Sequence, residues 1–285
     1  MVKDMRIFLA GASGVIGRRV TESLVAHGHQ VVGLTRRPSP VLEKLGAQVA
    51  IADVYDRAAL ADAVRAAEPD VVMHQLTDLS AGDRTANAKI REQGTRNLAD
   101  AALDAGVQRI IAQSICWVYE PGDKPAAEDV PLDLDSDADR QNTVRAVATL
   151  ETTVREAPEW VVLRYGMFYG PDTWYTPGGF MARLAHDGRL QATADVTSFV
   201  HVDDAASAAV SALHWPTGVV NVCDDEPATG YDWTPVFCQA VGAPEPARSD
   251  APRTGWARGA DNRRARDLGW TPQWPSWRDG LSATK

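Results

Sequence analysis

An open, doubly wound parallel α/β sheet with a smaller C-terminal lobe is the fold this chain predicts, on three observations. Short β-branched runs alternate with amphipathic stretches from residue 6 to about 165. A glycine-rich turn joins the first run to the first amphipathic stretch, and after Gly166 the segments become short, irregular and rich in Gly, Pro and Trp. Strands alternating with helices imply right-handed crossovers and a sheet covered on both faces. The irregular lobe would sit at the carboxyl ends of the strands, where open α/β sheets take ligands. The expected division is 1–166 for the sheet domain and 167–285 mainly for a substrate-binding lobe, with 196–222 returning to the sheet.

Each element has a local reason. Arg6 to Ala10 reads as a strand, and Gly14 to His27 as a helix with Ile16, Val20 and Leu24 at four-residue spacing and Gly28 as its stop. Gln30 to Thr35 and Val49 to Ala52 are the next strands, and Asp70 to Leu76 a buried one. A helix is expected over Ile90 to Ala105, stopped at Gly106, then a strand from Arg109 to Gln113. A long helix over Asp139 to Ala157 and a strand from Trp160 to Tyr165 complete the alternation.

Composition excludes several classes. The 285 residues carry 29 Lys+Arg against 38 Asp+Glu, a net charge of −9, which argues against a nucleic-acid surface. No run of about 18 apolar residues is present, so no membrane-spanning helix is expected. The Met1-Val-Lys-Asp-Met-Arg6 start is too short and charged for a secretory signal. Cys116, Cys223 and Cys238 lack CxxC or Cys/His spacing, so no metal site is expected and a reducing cytoplasm fits.

Gly11-Ala-Ser-Gly14-Val-Ile-Gly17 follows the first strand and opens the first helix. Gly11 permits the tight turn, Gly14 lets the backbone approach a pyrophosphate, and Gly17 lets helix and strand pack closely, while the helix N-terminus offers unpaired N–H groups to the anion. Ser13, Val15 and Ile16 complete this cradle. Where a dinucleotide without a 2′-phosphate meets Asp or Glu at the end of the second strand, this chain has Thr35-Arg36-Arg37-Pro38. Two guanidiniums suit a 2′-phosphate, so NADP(H) is expected, with NAD(H) as the alternative. Asp53 would accept from the adenine amino group or cap the helix that starts near Asp56, with Val54 beside it. Leu76 and Thr77 would meet the ribose or pyrophosphate.

These residues resemble the extended short-chain dehydrogenase/reductases, the NAD-dependent epimerase/dehydratase group. The resemblance runs through the GASGVIG loop, Asp53, Asp70-Val-Val-Met-His74, Asn87 and Gly94-Thr-Arg-Asn-Leu98. It continues through Leu163-Arg-Tyr-Gly-Met-Phe-Tyr-Gly-Pro171, Phe199-Val-His-Val-Asp-Asp-Ala205 and Asn221-Val-Cys-Asp-Asp-Glu-Pro227. It implies a Rossmann-like domain, a bound nicotinamide dinucleotide, a lobe closing over a small-molecule substrate, and a homodimer through helices near Asn87–Ala105 and Asp139–Ala157.

The family's chemistry uses a Tyr followed four residues later by a Lys, which share a helix face so that the ammonium lowers the phenol pKa. None of the six tyrosines here has a lysine four residues on, and the chain has five lysines in all. With Glu151 matched to the family's Glu after that motif, Thr143 stands at the Tyr position and Val147 at the Lys position; the family's Ser/Thr position is Ile115, with Ser114 adjacent. A threonine hydroxyl is far less acidic than a phenol near pKa 10. The chain is therefore expected to be an atypical member.

Ser114, Thr143 and Tyr165 are the catalytic candidates, and Trp117, Tyr169, Trp174 and Tyr175 the candidates for a substrate pocket suited to an aromatic or apolar metabolite. His74 and His201 are expected in structural roles, His201 through Asp203 or Asp204. Two functions stand open: an NADP(H)-dependent oxidoreductase or epimerase/dehydratase-like enzyme with non-standard acid–base residues, or a protein that keeps NADP(H) for sensing or as a structural ligand in a redox-neutral reaction.

Overall fold

The computed structural model describes residues 4–78 and 84–282, so the first three residues of the charged start lie outside the described residues. The elements run β1 (Arg6–Ala10), α1 (Val15–Ala26), β2 (Gln30–Thr35), α2 (Pro40–Lys44), β3 (Gln48–Ile51), α3 (Arg57–Ala67) and β4 (Val71–His74). Then come α4 (Arg84–Lys89), a π-helical turn at Ile90–Gly94, α5 (Thr95–Asp104), β5 (Arg109–Ile115), α6 (Ala138–Val154), β6 (Glu159–Tyr165) and β7 (Met167–Tyr169). The remainder is α7 (Phe180–His186), β8 (Gln191–Ala192), β9 (Val196–Thr197), β10 (Phe199–His201), α8 (Val202–Ser211), β11 (Gly218–Val222), β12 (Ala228–Thr229), α9 (Gly230–Ala240), β13 (Ala247–Arg248), α10 (Arg263–Asp267) and α11 (Trp277–Ser282).

Seven strands form one sheet in the order β11-β6-β5-β4-β1-β2-β3, the doubly wound parallel architecture that the alternation predicts. Parallel registers such as Ala10↔His74, Ala10↔Leu34 and His74↔Ala112 bring the carboxyl ends of β1, β2, β4 and β5 to one edge. The glycine-rich segment, the Arg36–Arg37 pair and Leu76–Thr77 follow β1, β2 and β4 at that edge.

By its contacts the chain divides into two compact units. Unit 1 is Met1–Ser114, Leu134–Leu163 and Ala206–Val219; unit 2 is Ile115–Asp133, Arg164–Ala205 and Val220–Lys285. The units interleave along the chain, whereas the sequence reading divides it at Gly166 with only 196–222 returning to the sheet. Unit 1 has a core of Phe8, Val72, Ile110, Leu60, Leu98 and Leu150, the inward faces of strands and helices. Unit 2 is built around aromatic rings, Tyr169, Tyr175, Phe199, Trp233, Phe237 and Trp277.

Several boundaries differ from expectation for local reasons. β4 begins at Val71 because the Asp70 carboxylate accepts from the Arg6 backbone N–H at 2.8 Å and so serves as the bracket of β1. The helix expected from Ile90 begins at Arg84 and passes through a π turn, with the Thr95 hydroxyl aimed five residues back at the Ile90 carbonyl. β5 runs on to Ile115, two residues further than the pattern indicates. α6 ends at Val154, short of Pro158, whose ring carries no N–H for a further turn.

Candidate functional site

In unit 1 the glycine-rich loop is closed by backbone alone. Gly14 donates to the Gly11 carbonyl at 3.0 Å, and Arg18 to that of Gly14 at 3.1 Å. Gly11 has φ +89°, and a Cβ there would collide with the Gln75 carbonyl. A Cβ on Gly17 would likewise strike the Gly11 carbonyl. Gly14 is the N-cap of α1 and supplies no side-chain cap, so the first N–H groups of this twelve-residue helix remain available to an anion. Ser13 and Gly14 are exposed, Val15 is half-buried, and Ile16 turns into the core, so Ile16 can offer a ligand only its backbone. Gly11 and Gly17 are thus required by close approach of main chain, since a methyl group at either position would strike backbone.

Arg36 and Arg37 are exposed just beyond β2. The Thr35 hydroxyl donates to the Arg37 carbonyl at 2.6 Å, which braces the turn that presents both guanidiniums. Asp53 is exposed, and its carboxylate accepts from the Tyr55 N–H at 2.9 Å. The cap of α3 is Asp56, which accepts from Ala59 N–H at 3.1 Å; Asp53 is therefore not the helix cap that sequence allowed it to be. Val54 is buried, with its carbonyl held by the Asn97 amide at 2.9 Å. Sequence reasoning passed over Tyr55 and Lys89, although Lys89 Nζ lies 4.5 Å from the Tyr55 ring centroid. Burial first, then Asp78 and Asp53, raise the Tyr55 phenol. The scarcity of lysine was the one signal that pointed to Lys89.

Leu76 is half-buried and Thr77 exposed at the end of β4. His74 is structural: its Nδ1 accepts from Leu76 N–H at 3.3 Å, so the proton sits on Nε2, 2.8 Å from the Thr95 hydroxyl. Burial holds this imidazole down to about 4, and it stays neutral.

The helix face that should carry acid–base chemistry is α6. Thr143 is half-buried, Val147 and Glu151 are buried, and the three stand one turn apart in succession. Ser114 donates to Glu151 Oε1 at 2.9 Å. Its single proton is thereby directed at a buried carboxylate and not at local backbone. Ile115, at the family's Ser/Thr position, is buried and apolar.

In unit 2, Tyr165 is buried and donates to the Ala205 carbonyl at 3.2 Å. Tyr175 packs edge-on to Phe199, Trp233 and Phe237 with centroids 5.6, 5.9 and 5.3 Å away. Tyr169 lies against Phe199 and His201. Burial raises both phenols, and both rings belong to the core instead of lining an open pocket. Trp117 is half-buried against Cys116, Tyr119, Ala126 and Ala260. Trp174 alone of the pocket candidates is well exposed, at 37%. His201 Nδ1 accepts from Asp203 N–H at 3.3 Å, while the Asp204 carboxylate accepts from Gln273 and Trp274 at 2.7 and 2.9 Å; Asp203 is the partner. The three cysteines are buried thiols, Cys116 pushed up to about 12 by burial. Among the described residues no group of His, Cys, Asp and Glu is placed to hold a metal, and no helix is long and apolar enough to cross a membrane.

The model of the NAD dependent epimerase/dehydratase family matches residues 7–223. A 3-diazoavenalumate denitrifying reductase from Streptomyces sp is 44% identical, over 97% of this chain and 99% of its own length. A UDP-glucose 4-epimerase from Mycolicibacterium smegmatis is 30% identical over 94% of each chain. The crystal structure of the Bordetella bronchiseptica enzyme WbmG in complex with NAD and UDP shares the fold, with TM-score 0.79 and 23% identity over 99% of this chain and 94% of that one.

Proposed function

From the premise that this chain belongs to the NAD dependent epimerase/dehydratase family, we propose that it is an NADP(H)-dependent reductase of a small aromatic acceptor whose reduction draws no proton from the protein. It is an oxidoreductase of the epimerase/dehydratase type. The finer reading rests on one observation: the nucleotide cradle is complete, while the acid–base face of α6 carries Thr143 and buried Val147 where the family has its phenol and ammonium.

Gly11, Ser13, Gly14, Val15, Ile16 and Gly17 would hold the pyrophosphate, Arg36 and Arg37 the 2′-phosphate, Asp53 and Val54 the adenine, and Leu76 and Thr77 the ribose. When bound, the reduced dinucleotide supplies a hydride. Carbonyl reduction generates an alkoxide that needs a proton, and a positioned acid typically contributes about 10²–10⁴-fold there. Thr143 is too weak an acid for that task, Val147 cannot lower its pKa, and the Ser114 proton is held by Glu151. An arene diazonium makes no such demand: it is already cationic, and its conversion to an arene expels N2 without proton transfer. The Streptomyces relative is named for a denitrifying reduction of a diazo acid, which supports this class of acceptor. A homodimer through α5 and α6 and a cytoplasmic location belong to the same proposal.

Calorimetry tests the cofactor half. NADP+ is expected to bind tighter than NAD+, and Arg36→Ala with Arg37→Ala to weaken NADP+ by about 10- to 100-fold, the scale of lost charge-assisted hydrogen bonds, with NAD+ little changed. NAD+ binding as tightly as NADP+ overturns it. Stoichiometric N2 from 3-diazo-4-hydroxybenzoate and NADPH, above the protein-free rate and unaffected by Thr143→Ala, tests the chemistry. Silence with that acceptor alongside carbonyl reduction would refute it, and an NADPH-responsive partner without turnover would favour a sensing role.

A further inference from the structure

Five large apolar side chains are exposed among the described residues, Val41, Ile51, Leu134, Trp174 and Phe180, and the two aromatic ones adjoin. The Trp174 and Phe180 rings lie 5.4 Å apart at 56° and are 37% and 44% exposed. Such rings normally dominate cores, so two left open side by side in a protein with an aromatic core of its own need a reason.

The patch is built and held. Thr173 and Thr176 hydroxyls donate to the carbonyls of Gly170 and Thr173 at 2.8 and 2.9 Å, and the Gly179 N–H donates to Thr176 at 2.8 Å. Met181 N–H donates to the Trp174 carbonyl at 2.9 Å, which ties the indole loop to α7. A Cβ at Gly179 would lie 2.5 Å from that same carbonyl, so the close approach requires glycine. One turn beyond Phe180, exposed Arg183 spends Nη1 on the Gly178 carbonyl at 2.7 Å. That bond ties the guanidinium to the segment between Trp174 and Phe180, and the three-residue spacing puts Arg183 on the helix face of Phe180, with further N–H donors on an exposed side chain.

We propose that Trp174, Phe180 and Arg183 form a subsite in unit 2 for an aromatic carboxylate, the arene on the two rings and the carboxylate on the guanidinium. Arg pairs planar carboxylates through two parallel N–H···O bonds, and an arene on an indole gains area and stacking together. The subsite rests on the aromatic-acceptor reading above and narrows it to acids.

4-Hydroxycinnamate and its uncharged amide, titrated into the full chain by calorimetry with saturating NADP+, test the assignment. Trp174→Ala and Phe180→Ala are each expected to weaken both probes by about tenfold, the scale of losing a buried aromatic anchor. Arg183→Met is expected to weaken the acid by about tenfold and leave the amide unchanged. These positions are exposed, so thermal midpoints should stay put. Equal affinity in wild type and variants overturns the subsite. So does a change of oligomeric state in Trp174→Ala or Phe180→Ala without a change in affinity, which would make the patch a contact between copies. A wild type that binds NADP+ but not the acid refutes the subsite alone. Loss of the acid in the variants from a chain that binds no NADP+ keeps the subsite and refutes the cofactor assignment.

Discussion

Asp224 carries a buried, strongly displaced carboxyl. Burial lifts it to about 8, and its Oδ2 has no hydrogen-bond partner among the described residues. A carboxyl near 4 when unfolded and about 8 when folded keeps its proton in the fold across that interval, so stability is full below pH 4, falls as pH rises through it, and levels above 8. His74 acts in the opposite sense: neutral in the fold down to about 4, it costs stability as pH falls below 6.5. The two slopes oppose between 4 and 6.5, and Asp224 alone remains of the pair between 6.5 and 8. Asp224→Asn, isosteric with the protonated acid, is therefore expected to flatten that upper limb by roughly 1 kcal/mol per pH unit relative to wild type, read by urea unfolding at pH 6.5, 7 and 8. Parallel curves would show that Asp224 is ionised in the fold. Nothing in Asn221-Val-Cys-Asp-Asp-Glu-Pro227 announces this, because burial is set by where Phe199 and α11 pack, far along the chain. The cradle is the opposite case. Gly11 and Gly17 were legible because each answers a local backbone demand that only glycine meets.

At the level of elements, the turn from β3 to α3 separates two aspartates that sequence leaves ambiguous. Asp56 caps α3, and Asp53 shapes the loop before it. Asp56→Ala is expected to lower stability by about 1 kcal/mol with nucleotide affinity little changed. Asp53→Ala should do the reverse, with stability within about 0.5 kcal/mol and weaker NADP+ binding. Paired denaturation and calorimetry read both; a stability loss at Asp53 exceeding that at Asp56 would invert the assignment. Strands β1, β2 and β6 and helix α1 were readable because period and caps are local. The π turn at Ile90–Gly94 was not, since its register depends on Thr95 meeting both His74 and the Ile90 carbonyl. Tyr169 and Tyr175 were read as pocket residues because an aromatic-rich segment looks alike whether it lines a cavity or fills a core.

For the whole molecule, a ligand that binds only the folded state stabilises it by mass action. NADP+ at about 100 times its dissociation constant should add about 2.7 kcal/mol, a rise of several degrees in the thermal midpoint, with NAD+ at the same concentration giving less. Equal shifts would remove the case for the two arginines. The interleaving of the units bears on how the chain can be divided. Arg109 Nη1 donates to the carbonyls of Ala212 and Trp215 at 3.2 and 3.0 Å, and the Thr217 hydroxyl accepts from Trp160 N–H at 3.3 Å. A gene fragment stopped at codon 166 would omit all three acceptors from the half that holds the glycine cradle. Split-reporter fusions or crossover libraries cut at that point would thus yield pieces that recombine poorly unless 206–219 travels with the N-terminal piece.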